Sequence, residues 1–170
     1  FFYVPPAQAG RLAAVYAASA DGVRRAAGGA PIDGQGDFVE GPRKVFSGGA
    51  GLVGTAGDYG RFAQMLLNDG ELDGVRLLSA RGVRLMRSNL VGERLAQDLV
   101  PQKPGMGFGL GVTVVVDPGA AGMYASAGAF GWSGAWYTNF MVDPEARTVM
   151  IVLTQLRPLF DPSLHAVFRT

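Results

Sequence analysis

No cysteine occurs in the 170 residues, which excludes disulfides, thiolate-held zinc, iron–sulfur clusters and thiol nucleophiles while leaving the redox compartment open. Histidine is almost as scarce, since His165 stands alone. A His-rich metal site or a Ser–His–Asp relay is hard to build around one histidine, and its place between Leu164 and Val167 suits packing better than catalysis. Lysine occurs only at positions 44 and 103, and neither follows a glycine-rich turn in the spacing of a phosphate loop. Long apolar runs are missing too. The longest, Val149 to Thr154, falls far short of the ~20 residues a membrane helix needs, so the chain reads as soluble, with cytoplasm and periplasm both open. Net charge is only +1, and the arginines are spread from Arg11 to Arg169, which leaves no electrostatic footprint for nucleic acid.

What remains is globular. Hydrophobic residues make up 48% and charged residues 17%, a balance that excludes disorder and suits one domain. The 26 glycines are about twice the usual share, so the backbone bends often. Leu12, Val15 and Tyr16 at helical spacing predict a short helix within residues 7–18, whereas residues 21–45 show no regular pattern. Thr55 is placed to cap a helix whose first turn carries Asp58. Tyr59, Phe62, Ala63, Leu66 and Leu67 give that helix one apolar face, and Asn68-Asp69-Gly70 ends it. Glu71 to Leu78 reads as a hairpin around Asp73-Gly74, after which Ser79 caps a second helix.

Beyond Pro104, alternating apolar residues predict three strands, over 108–116, 130–142 and 148–154, and then a terminal helix from Pro162 through Phe168. The last two strands should pair antiparallel across Asp143-Pro144-Glu145-Ala146-Arg147. The order makes the fold α+β, an antiparallel sheet flanked by helices, with residues 1–104 as a helical and loop region and 105–170 as sheet strands plus the terminal helix. Three strands leave a sheet face and an edge uncovered, and the chain opens on Phe1-Phe2-Tyr3-Val4-Pro5-Pro6 without an initiator methionine. The expectation is an incomplete unit whose N-terminal segment is missing.

Three features invite a chemical reading. Gly49-Ala50-Gly51-Leu52-Val53-Gly54 has the G-x-G-x-x-G spacing of a dinucleotide site, but Val45-Phe46 is too short for the buried strand that should precede it and no parallel strand follows. A glycine loop for close packing is the better reading, and no cofactor is expected. Asp143 and Glu145 resemble paired catalytic carboxylates, yet they sit in a tight reversal where exposed acids are ordinary. The segment from Gly128 to Tyr137 concentrates glycine and aromatic residues at the mouth of a strand. It fits two readings, a glycine-kinked edge strand with packed aromatics, or a rim that offers N–H groups to an oxyanion beside an apolar pocket walled by tryptophan.

The stretch from Ser47 to Phe62, its continuation from Leu66 to Ser79, the run Met106-Gly107-Phe108-Gly109-Leu110-Gly111, and Gly131 to Pro144 together resemble serine β-lactamase-like hydrolases. The last of these, ending in Phe140-Met141-Val142-Asp143-Pro144, is similar to family VIII carboxylesterases. The resemblance spans roughly residues 45 to 160, in order. It implies a nucleophilic serine in an S-x-x-K helix, a tyrosine in a Y-x-N or Y-x-S loop, and a third motif on a strand at the sheet edge.

That third motif is K-T-G in penicillin-binding relatives and W-x-G in the esterases, and Trp132-Ser133-Gly134 matches the latter. By the same resemblance these three residues bind substrate and the backbone N–H of Ala135 is an oxyanion donor, the nucleophile's own N–H being the other. Without the lysine, a small-molecule carboxylic ester is the implied substrate. β-Lactamase or D-amino acid peptidase activity on the same fold, and a non-catalytic binding module, are the alternatives. No serine here has lysine three positions on, because Gly41 and Val100 occupy those places. Tyr137-Thr138-Asn139 has the letters of Y-x-N but follows the W-x-G motif instead of preceding it. The nucleophile is therefore expected outside this chain.

Overall fold

The computed structural model describes residues 2–19, 21–28, 36–41, 44, 46, 51–92 and 104–157. The sequence-predicted terminal helix with His165, and most of the glycine loop before Gly51, lie outside the described residues.

The longest helix, α1 (Ala56–Leu67), starts where its sequence provides a reciprocal cap. The Thr55 hydroxyl accepts from the Asp58 N–H at 3.1 Å, while the Asp58 carboxylate accepts from the Thr55 N–H at 3.0 Å. Hydrogen bonds from Thr55 hold the Asp58 carboxyl below its ordinary value. At the other end, the N–H of Gly70, whose φ is 95°, closes on the Met65 carbonyl, and the chain turns into the two-stranded hairpin β3 (Glu71–Leu72) and β4 (Val75–Arg76). Ser79 then caps α2 (Ala80–Met86), accepting from the Gly82 N–H at 3.0 Å.

The main sheet has five antiparallel strands in chain order: β5 (Met106–Phe108), β6 (Thr113–Val115), β7 (Phe130–Ser133), β8 (Asn139–Asp143) and β9 (Thr148–Val152). Two of the three expected strands are each a pair. The first breaks at Gly109-Leu110-Gly111, where the Leu110 N–H leaves the ladder for the Met86 carbonyl at 2.9 Å. The second breaks at residues 134–138, a tight connection between β7 and β8. The expected pairing across residues 143–147 is present, with Asp143 opposite Thr148. A short helix, α3 (Pro118–Ala121), capped by Asp117, lies between β6 and β7.

Ala63, Met65, Leu66 and Leu67 of α1 join Val83 of α2, Val112, Val114, Phe130 and Val142 in one buried cluster, with Phe140 and Ile151 packed against it. Tyr59 and Phe62 belong to the expected apolar face of the helix but remain 38% and 44% exposed. The opposite sheet face carries a smaller cluster of Val115, Ala125, Ala129 and Met141. The chain is thus α+β, as its alternation of periods implied.

The N-terminal third departs from expectation. Instead of a helix within 7–18, a 3-10 turn occupies Pro6–Arg11 and a strand, β1 (Tyr16–Ser19), follows. β1 pairs antiparallel with β2 (Gly22–Arg25), inside the segment read as irregular, and parallel with β10 (Leu156–Arg157).

Candidate active site

β7 is flanked by β6 and β8, but unequally. Its pairing with β8 runs the full length, Phe130 opposite Val142 through Ser133 opposite Asn139. Its pairing with β6 stops at Gly131 opposite Thr113. Trp132 and Ser133 therefore project past the end of β6, and among the described residues no strand pairs with them on that flank.

Two glycines permit this geometry. A Cβ on Gly131 would collide with the Phe140 carbonyl, so the strands could not approach as they do. A Cβ on Gly134 would collide with the Thr138 hydroxyl across the connection, where the Gly134 N–H donates to the Thr138 carbonyl at 2.7 Å. The group for which Gly134 makes room is thus part of its own loop. Ala135 follows at the exposed apex, and among the described residues no acceptor takes its N–H.

Beside this strand end lies a cavity of about 130 Å³, lined by Tyr59, Trp132, Ser133, Gly134, Thr138, Asn139, Phe140 and Leu153. Its walls are aromatic. Trp132 packs edge-to-face on Phe108 at 5.3 Å between centroids and keeps 48% of its surface exposed, so the indole has a free face. Tyr59 meets Phe140 at 5.2 Å and Phe62 at 5.6 Å. Burial of the Tyr59 ring raises its phenol above the ordinary value, so it is a neutral wall at neutral pH. Ser133, Thr138 and Asn139 add a few polar atoms to an otherwise apolar lining.

Trp132, Ser133 and Gly134, singled out from the sequence, line the cavity together; Ala135 adjoins it without lining it. Tyr59, Phe140 and Leu153 were not singled out for it. Tyr59 looks like a core residue because it shares the spacing of Leu66, and only the position of α1 over β8 and β9 carries it to the cavity.

The other sequence candidates fall elsewhere. Tyr137 is 2% exposed, which keeps its phenol from a base role despite the letters of its motif. The Gly51–Gly54 stretch enters α1 without a strand, and the Asp58 carboxylate already occupies the helix N-terminus. Asp143 was read as an exposed turn acid and is instead 5% exposed. It accepts from the N–H groups of Ser126 at 2.8 Å, Glu145 at 3.1 Å and Ala146 at 2.9 Å. Burial pushes its carboxyl up, but those N–H groups outweigh it and hold the value below the ordinary one. Glu145 is exposed. Among the described residues no cluster of acidic or histidine side chains could hold a metal, and no helix is long and apolar enough to cross a membrane.

The family model described as Beta-lactamase matches residues 1–168, and the chain belongs to that family. "Protein Rv1367c" and "Uncharacterized protein MT1414", both of Mycobacterium tuberculosis, are each 40% identical to it over 158 residues, covering 82% of this chain and 38% of theirs. Among solved structures, EstCE1, described as a hydrolase with promiscuous acyltransferase activity, is 27% identical with a TM-score of 0.73 over 91% of this chain and 41% of its own. Simvastatin synthase (LovD) from Aspergillus terreus shares the fold at 22% identity, with a TM-score of 0.73 over 96% of this chain and 41% of its own. The chain thus spans about two fifths of these relatives.

Proposed function

We propose that this chain supplies the acyl pocket and one oxyanion donor of a serine hydrolase acting on carboxylic esters, with the nucleophile outside these 170 residues. The observation that carries the reading is the juxtaposition at the end of β7: a half-exposed indole, an apolar cavity and, adjoining them, an amide that no acceptor takes among the described residues. In the proposed reaction the serine oxygen attacks the ester carbonyl and its proton passes to a lysine or tyrosine base. The carbonyl oxygen, now negative, is held by the Ala135 N–H and the nucleophile's own N–H. Collapse breaks the bond to the alcohol, which leaves with the proton, and water then releases the acid and restores the serine.

Trp132 stands where penicillin-binding relatives place a lysine, so the site offers no cation there for a substrate carboxylate. Neutral esters are the expected substrates. The similarity to EstCE1 supports hydrolysis or acyl transfer over a binding role.

The test is the full-length protein on p-nitrophenyl butyrate, with Trp132→Ala expected to lower kcat/KM about tenfold or more through the lost pocket wall. Turnover indifferent to Trp132→Ala would remove the pocket assignment. Nitrocefin or D-amino acid amides turned over faster than esters would place the protein with the lactamases or peptidases. A protein that no ester or boronic acid modifies would be a binding module.

A further inference from the structure

The loop that presents the Ala135 amide is hydrogen-bonded to a side chain from another segment, the hydroxyl of Thr154. Residues 134–138 join β7 to β8, and Tyr137 in this loop has φ 59°, a left-handed conformation that is costly for a residue with a Cβ. Such a turn persists only when its surroundings fix it. Tyr137 is buried, and its carbonyl lies 3.0 Å from the Thr154 hydroxyl oxygen. The same hydroxyl lies 2.7 Å from the Trp136 carbonyl. One donor therefore serves two successive carbonyls immediately after Ala135. The neighbouring segment adds weaker support, with the Leu156 N–H 3.4 Å from the Trp136 carbonyl and the Arg157 guanidinium 5.4 Å over the Trp136 ring.

We infer that Thr154 is a positioning residue for the oxyanion donor: by holding the Trp136 and Tyr137 carbonyls, its hydroxyl fixes the direction of the Ala135 N–H. The inference rests on the ester-hydrolase reading above. An oxyanion donor works only when it is aimed in advance at the oxygen that becomes negative, and a displacement of ~0.5–1 Å is enough to forfeit much of its effect. Thr154 touches no substrate in this scheme, so its loss should weaken the transition state and spare ground-state binding.

In the full-length protein, Thr154→Val is expected to lower kcat on p-nitrophenyl butyrate by about 10- to 100-fold with KM changed less than about threefold. Thr154→Ser, which keeps the hydroxyl, should return kcat to within about threefold of wild type. Affinity for an alkylboronic acid, whose serine adduct mimics the tetrahedral intermediate, should fall in step with kcat/KM. Thr154→Ala removes the same hydroxyl and is measured alongside, so that a folding failure of the valine variant leaves a second readout.

Ala135→Pro, which deletes the N–H itself, sets the reference. If it abolishes turnover while both hydroxyl-deleting variants keep wild-type kcat, the Thr154 inference is overturned and the hydrolase reading stands. If Ala135→Pro is itself as active as wild type, the oxyanion assignment fails first. Equal losses in kcat, KM and thermal stability that Thr154→Ser does not rescue would make Thr154 a structural residue only.

Discussion

At the scale of single residues, Asp143 ties the sheet's turn to the segment before β7. Its carboxylate collects three backbone N–H groups, two from the β8–β9 reversal and one from Ser126. Asp143→Ala would leave those donors without their charged acceptor in a buried place, and a loss of about 2 kcal/mol is expected in urea unfolding at neutral pH. Because the folded carboxyl titrates below its ordinary value of 3.8, this contribution is complete above that pH and disappears as pH falls through the folded value. Wild type should therefore lose its advantage over Asp143→Ala in acid, and an advantage unchanged at pH 2 would refute the assignment. The sequence showed an acid in a turn. Its burial was not legible, because the partner that closes the site, Ser126, is 17 positions away.

At the scale of elements, legibility follows the range of the forces. The helix α1, the β3–β4 hairpin and α2 are set by neighbours within a few residues, and their caps at Thr55 and Ser79 could be read directly. Thr55→Ala should cost about 1 kcal/mol and lower the melting temperature, a modest effect because the helix also packs on β8 and β9. β1 was misread because alanine-rich residues 7–18 satisfy a helical period, whereas Tyr16–Ser19 pair along their whole length with Gly22–Arg25 just beyond, a hairpin whose mixed composition carries no strand pattern, and only Tyr16 and Ala17 also meet the distant β10. The cavity was half legible for the same reason. Trp132, Ser133 and Gly134 are contiguous, whereas Tyr59 arrives on a different element. As the residue that α1 contributes to the lining of the cavity, Tyr59 should limit acyl length in the proposed hydrolase. In the full-length protein Tyr59→Ala is expected to raise the hexanoate-to-acetate ratio of kcat/KM about tenfold, and an unchanged ratio would show that the acyl chain does not reach α1.

For the whole molecule, the proposed division of labour follows from what these residues hold. They contain the cavity and an amide that no acceptor takes among the described residues, but no serine with a lysine three positions on. Residues 1–170 expressed alone are therefore expected to show no turnover of p-nitrophenyl butyrate and no burst, measured against the full-length protein at equal concentration. Ester hydrolysis by the isolated chain that Trp132→Ala abolishes would place the nucleophile within it and overturn the proposed arrangement.

The parallel pairing of β1 with β10 sets Tyr16 beside Leu156, about 140 residues along the chain, and closing a loop of that length costs about 4 kcal/mol of chain entropy before any contact repays it. Such a seam forms slowly, after the local helix and hairpins. On a ribosome it cannot form until Leu156 has left the exit tunnel, so β1 and β2 wait as a hairpin for their third strand while the residues between are made.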